Sequence, residues 1–316
     1  METFFKILLW FGLIFSSFSW PLEVQPPIDF DVNSQSKLKV YVNFPLKVVN
    51  PKIERAVIVV HGVARNADEY FSYALKSAMQ EGVENETLII APHFKIDSDS
   101  KEFNELYWSE SWKFGDKSHG DRVSSYEIID KLITEISSNG HFPSLKKVTL
   151  IGHSAGGQFV ARYSAGSLPP THSQLKLTYV IANPSSYLYF GPERWDGEKS
   201  FAIPDAGCPE YDVYPYGLNH PNSYMGQTSS QELQKRFNSR DIFLLLGNQD
   251  TLTEYLDMSC EANLQGKNRW ERGLTYYRFI KSYFPESHLQ WREVPGIGHS
   301  GEEMIQSSQA KSLLFH

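Results

Sequence analysis

Residues 147–157 read Lys147-Val148-Thr149-Leu150-Ile151-Gly152-His153-Ser154-Ala155-Gly156-Gly157, and this stretch decides the fold. A short apolar run ends in a Gly-rich turn, and a helical stretch, Gly157 to Ser164, follows directly. Continuously apolar runs of this length suit strands buried on both faces. A serine at the tip of a strand-to-helix turn needs a strained backbone, and side chains on its neighbours would collide. Glycines at 152 and 156 remove those collisions. The following helix turns its N-terminal amides toward any anion that forms there.

Outward from this turn, strand-like and helical stretches alternate. Lys37 to Phe44 alternates apolar and polar residues, while Ala56 to Val60, Leu88 to Ala91, Leu177 to Ala182, Ile242 to Leu246 and Leu289 to Val294 read as further strands. One predicted helix starts at Asn66, with Glu69 completing a capping box, and stops at Gly82. Ser125 opens another, with Ile128, Ile129, Leu132, Ile133 and Ile136 on one stripe. Arg269 to Phe284 is amphipathic, and Glu302 to Leu314 reads as one terminal helix. The rhythm predicts an α/β fold: a doubly wound, mostly parallel sheet with helices on both faces.

Two segments break the rhythm. Lys95 to Arg122 has little periodicity but carries Tyr107, Trp108 and Trp112. Tyr187 to Tyr224 packs nine aromatics into 38 residues, with five prolines. Long stretches without regular structure in a compact fold are usually binding loops or lids. An aromatic-rich lid insertion is therefore expected at about 183–239, with Tyr107, Trp108, Trp112 and Tyr187 as substrate-binding candidates.

Composition bounds the rest. The chain has 316 residues, 41% hydrophobic and 21% charged, which suits one globular domain over 20–316. Its net charge of −7, with no basic run, excludes nucleic acid as a partner. Lys6 precedes the apolar run Ile7 to Phe15 and the small-x-small triplet Ser17-Phe18-Ser19. Charge, short apolar core and small residues, in that order, describe a secretory signal peptide. The run is shorter than the roughly 20 residues a transmembrane helix needs. Residues 1–19 are expected to be removed by cleavage near Ser19, leaving a secreted or periplasmic protein without a membrane span. Cys208 and Cys260 are the two cysteines, a possible disulfide in an oxidising compartment. Asp97, Asp99 and Asp121 lack the glycine and distal glutamate of a calcium loop, so no metal is expected. Asn85-Glu86-Thr87 is a glycosylation sequon.

A serine hydroxyl is a poor nucleophile until a base takes its proton. Among ten histidines, His299 follows the last predicted strand in the loop Pro295-Gly296-Ile297-Gly298-His299. That position brings it to the carboxyl edge of the sheet with Ser154. His153, next to the serine, reads as a packing residue. An imidazole base needs an acid to fix its tautomer. Asp250 lies just past the strand Ile242 to Leu246, with Glu254 and Asp257 as substitutes. The oxyanion needs two aimed donors. Ala155 N–H follows the serine, and Val63 N–H, or Ala64 N–H, comes from the loop His61-Gly62-Val63-Ala64.

The elbow Gly152 to Gly156, His61-Gly62, Asp250 after its strand and the Gly-x-Gly-His299 loop together resemble the α/β-hydrolase superfamily, from about Lys37 to Leu314. The layout is similar to exported esterases related to polyhydroxybutyrate depolymerases and feruloyl esterases. The resemblance implies Ser154 as nucleophile, His299 as base, Asp250 as acid, and Val63 and Ala155 as oxyanion donors, with no cofactor. It implies a serine hydrolase cleaving carboxylic esters, small or polymeric, through an acyl-enzyme. The same machinery serves peptidases and amidases, and a ligand-binding protein could retain the fold without catalysis. Acid and base lie 49 residues apart, because Leu252 to Lys267 is inserted between them.

Overall fold

The computed structural model describes residues 25–99, 101–120, 122–168, 175–198, 200–205 and 207–316; the expected signal peptide, 1–19, lies outside them, as does Asp121. In chain order the strands are β1 (Ile28–Asn33), β2 (Ser36–Val42), β3 (Arg55–Val60), β4 (Thr87–Pro92), β5 (Lys147–His153), β6 (Lys176–Ala182), β7 (Arg194–Trp195), β8 (Phe201–Ala202), β9 (Asp241–Gly247) and β10 (Gln290–Val294). The helices are α1 (Ala67–Gln80), α2 (Ser125–Ser138), α3 (Ala155–Gly166), α4 (Ser230–Ser239), α5 (Cys260–Asn263), α6 (Arg269–Tyr283), α7 (Gly301–Gln306) and α8 (Ser308–Phe315).

Eight strands form one sheet in the order β1-β2-β4-β3-β5-β6-β9-β10. From β4 to β10 every pairing is parallel, and β1 and β2 add an antiparallel edge. Side-chain alternation divides the buried residues between two faces. Ile58 and Val60 join a core with Ile129, Phe159, Phe237 and Phe279, from α2, α3, α4 and α6. Val57 and Val59 join the opposite core with Phe71, Met304 and Leu314, from α1, α7 and α8. Both faces of the sheet are therefore covered, which is why its central strands are apolar throughout.

Four local expectations change. β1 was not foreseen. Asn66 does not cap α1 with its side chain; the amide instead meets the Glu69 carboxylate. The reciprocal capping box belongs to α2, where Ser124 and Glu127 exchange bonds. The expected terminal helix is broken into α7 and α8, because Ser307 caps α8 by accepting from Ala310 N–H.

The 183–239 stretch is more embedded than a loose insertion. Tyr187, Leu188 and Tyr189 are in the core, α4 packs Leu233 and Phe237 there, and β7 and β8 form a two-stranded hairpin. Cys208 and Cys260 are bonded, tying this stretch to the segment that follows β9. No described helix is long and apolar enough to cross a membrane.

Candidate active site

Parallel strands deliver their carboxyl ends to one edge, and four of them build the site. β5 ends at the elbow, where Ser154 holds φ 58°, ψ −117°. A positive φ is rare for a side-chain-bearing residue and marks local strain. Close packing accounts for the glycines. A Cβ on Gly152 would lie 2.1 Å from the Gly156 carbonyl oxygen, and one on Gly156 2.2 Å from that of Val60. Ser154 N–H donates to Ala182 O at 3.0 Å, which pins the elbow to β6.

β9 leads to Asp250 and β10 to His299. His299 Nδ1 lies 2.7 Å from Asp250 Oδ2, and its Nε2 lies 2.9 Å from Ser154 Oγ. With Asp250 as acceptor, Nδ1 carries the proton and Nε2 faces the serine as an acceptor. Asp250 is 1% exposed and Ser154 6%. The structure brings these three together. Asp257 instead accepts from Tyr216 Oη at 2.8 Å, and Glu254 meets Arg269 through its backbone carbonyl.

β3 leads into His61-Gly62-Val63. The buried His61 ring accepts the Phe94 N–H at Nε2 (3.0 Å) and donates from Nδ1 to the Gly62 carbonyl (2.9 Å). Burial lowers its pKa to about 3, so the ring is neutral. Arg65 N–H also donates to Gly62 O, at 3.1 Å. A trans peptide points its N–H opposite its C=O. Fixing the Gly62 carbonyl against His61 therefore turns the Val63 N–H the other way. Arg65, held by Asp99 at 2.8 Å, also donates to the Val63 carbonyl at 2.7 Å.

Val63 and Ala155 share with Ser154 a cavity of about 380 Å³, also lined by Lys113, Phe114, Gln158, Ser185, Tyr216, Tyr255, Leu256 and Asp257. Ala64 is not among its lining residues.

No protein-family model matches the chain, and no curated protein matches it in sequence. Solved structures do match. The LpqC poly(3-hydroxybutyrate) depolymerase of Bordetella parapertussis aligns with a TM-score of 0.67 and 25% identity, over 93% of this chain and 91% of that one. Poly(aspartic acid) hydrolase-1 of Sphingomonas sp. KT-1 aligns with a TM-score of 0.67 and 21% identity, over 92% and 98%. An S-formylglutathione hydrolase of Agrobacterium tumefaciens aligns with a TM-score of 0.52 and 12% identity, over 91% and 94%. The chain belongs to the α/β-hydrolase superfamily.

Within this α/β-hydrolase fold, the aromatic candidates are a correction. Tyr107, Trp108, Trp112 and Tyr187 do not line the cavity. Trp108 and Trp112 are fully buried around Phe94, and Tyr187 is fully buried against Tyr276 at 4.5 Å between ring centroids. Tyr107 stacks on His119 at 4.5 Å. The aromatic rings at the cavity are Phe114, Tyr216 and Tyr255.

Three supports were not anticipated. Arg269, wholly buried, sets Nη1 3.4 Å from Asp250 Oδ1. Asn183 (φ 42°) accepts Gly247 N–H at 2.9 Å and donates to Gly298 O at 3.1 Å, tying β9 to the His299 loop. Tyr70 Oη shares a 2.8 Å hydrogen bond with His153 Nδ1 and lies against Gly62 and Gly301. Burial and the neighbouring His299 hold the His153 pKa well below the usual imidazole range. Its neutral ring packs 4.7 Å from that of His299. The nearest sequence signal was His153 itself, which the packing reading matches.

Proposed function

We propose that this chain is an exported serine hydrolase that cleaves carboxylic esters through an acyl-enzyme. The observation that carries the reading is the unbroken hydrogen-bond line Ser154 Oγ, His299 Nε2, His299 Nδ1, Asp250 Oδ2 at the rim of one cavity. His299 removes the serine proton as Oγ attacks the ester carbonyl, and Asp250 holds the ring and stabilises the imidazolium. The oxyanion takes the N–H groups of Val63 and Ala155. His299 then returns the proton to the departing alkoxide, leaving the acyl group on Ser154. Water, deprotonated by His299, attacks the acyl carbonyl; its proton returns to Ser154 as the acid departs. Neither step requires a metal or an organic cofactor.

The neighbour described as a poly(3-hydroxybutyrate) depolymerase supports ester over amide chemistry. The Cys208–Cys260 disulfide supports a secreted or periplasmic location, since such bonds persist in oxidising compartments. The test is hydrolysis of short p-nitrophenyl esters by wild type and Ser154→Ala. Turnover by wild type alone is expected. Cleavage of peptide substrates without ester turnover would replace the esterase reading with a peptidase one.

A further inference from the structure

The chain is acidic overall, at −7, but the walls of this cavity are not. Lys113, on the short 3-10 helix Glu110–Phe114, lines the cavity with a side chain only 19% exposed. Among the described residues its ammonium has no hydrogen-bond acceptor. Its nearest carboxylate, on exposed Glu110, is 4.0 Å away. Burial pushes its pKa below the ordinary lysine range, against the opposing pull of the Glu110 and Asp257 carboxylates.

Three guanidiniums stand behind the same wall, each bonded to a lining residue. Arg162, wholly buried, donates to the Gln158 carbonyl at 3.1 Å and otherwise bonds Pro215 and Ser186, with no carboxylate among these partners. Arg269 donates to Ser185 Oγ at 3.2 Å, and Arg272 to the carbonyls of Ser185 (2.6 Å) and Asp257 (2.8 Å). Among the described residues, exposed Glu110 and two carboxylates deeper in the site oppose these four cations, and the deeper two are engaged. Asp250 serves His299 and Arg269, and Asp257 accepts Tyr216 Oη and Ser259 N–H. Asp116, farther back, is held by Asn222. Gln158 adds a donor: its Oε1 accepts Ser186 Oγ at 2.9 Å, and among the described residues its amide N–H₂ has no acceptor. A cation without a hydrogen-bond acceptor at the wall of a low-dielectric cleft attracts a small ligand of opposite charge.

We infer that the cavity takes an ester whose acid part carries a second, free carboxylate, and that Lys113 receives this group. The inference rests on the serine-hydrolase reading for the reaction but not for the binding. A dicarboxylic half-ester has this chemistry. The bound carboxylate supplies the acceptor that Lys113 lacks, while the ester carbonyl lies at Ser154 between Val63 and Ala155. An alkyl chain of the same length leaves the ammonium unsatisfied, and that penalty sets the preference.

The test compares two matched pairs on the full chain: p-nitrophenyl hemiglutarate against pentanoate, and hemiadipate against hexanoate. Ser154→Ala supplies the background rate. The expected result is at least a tenfold higher kcat/KM for one anionic member at low ionic strength, shrinking as salt rises. Lys113→Met should abolish that preference while leaving the neutral esters within about threefold, and Lys113→Arg should keep it. A wild type that favours the neutral esters, or a Lys113→Met variant that loses both kinds equally, overturns the inference. Calorimetry with monomethyl adipate and methyl hexanoate on Ser154→Ala separates the two claims. Tighter binding of the half-ester, lost on adding Lys113→Met, upholds the subsite even if no ester is turned over; in that case only the hydrolase reading falls. Equal binding of the two ligands overturns the subsite.

Discussion

Asp250 is gripped from two sides: Oδ2 faces His299 Nδ1 at 2.7 Å while Oδ1 faces the buried Arg269 Nη1 at 3.4 Å. Arg269 is fixed in turn by Ser185 Oγ and the Glu254 carbonyl, so α6 orients the acid from behind. The guanidinium does not meet the serine or the cavity centre, and its role is positioning. Replacing it with methionine keeps the bulk and removes the grip. Turnover should fall about tenfold with KM little changed, because Asp250 loses the partner that fixes its Oδ1. Arg269→Lys should recover part of the turnover. Unchanged turnover in a folded Arg269→Met variant would leave Arg269 a purely structural residue.

His61 controls the direction of the Val63 amide through its bond to the Gly62 carbonyl. His61→Ala should lower kcat about 10²-fold, the scale of a lost oxyanion donor, with a smaller effect on KM. Stability should respond to pH as well. The folded-state pKa, about 3, lies below the unfolded value near 6.5, so the unfolded chain binds more protons between them. Stability from this group is complete above about 6.5 and is lost as pH falls toward 3. Thermal melts across that range should show a shallower acid decline in His61→Ala than in wild type. Full turnover by the variant would detach His61 from the oxyanion loop.

Asp130 acts with the opposite sign. Its half-buried carboxyl accepts Tyr163 Oη and Tyr224 Oη, both at 2.7 Å, and desolvation raises its pKa to about 6. The folded state therefore holds this proton more tightly than the unfolded state. Its contribution is fully present below about 4 and is lost as pH rises through 6, on the order of 2–3 kcal/mol. Asp130→Asn removes this titration. The melting temperature of wild type should drop relative to Asp130→Asn between pH 4 and 7, and a gap that moves the other way would contradict the assignment.

The disulfide joins two stretches that both reach the cavity rim, one through Tyr216 and the other through Tyr255, Leu256 and Asp257. It closes a loop of 52 residues, for which chain entropy gives about 4 kcal/mol. The double variant Cys208→Ser/Cys260→Ser should melt several degrees lower and raise KM more than it changes kcat. Equal losses in both, or none, would separate the bridge from the rim.

The fold was legible because strands buried on both faces leave runs such as Leu88 to Ala91 that few other structures require. Ser154, Asp250 and His299 were legible as residues the fold carries to one edge, each just past a strand. The cavity was not. Trp112 in a loop reads like a binding residue, yet burying a large aromatic gains most where water is absent, and this one packs against Phe94 and His61. Arg269 was hidden for the opposite reason: an arginine in an amphipathic helix reads as solvent-facing. Only the packing of α6 against the sheet puts it behind Asp250. The split at Ser307 and the misassigned cap at Asn66 have one source, since a cap depends on a bond that residue type alone does not determine.

The central claim is that Ser154 is an activated nucleophile. A fluorophosphonate probe, followed by intact mass and peptide mapping, tests it on wild type, Ser154→Ala and His299→Ala. The account predicts one adduct on wild type, on Ser154, none on Ser154→Ala, and labelling slowed at least 10²-fold in His299→Ala. An adduct at another residue, or a folded wild type that does not label, would contradict it.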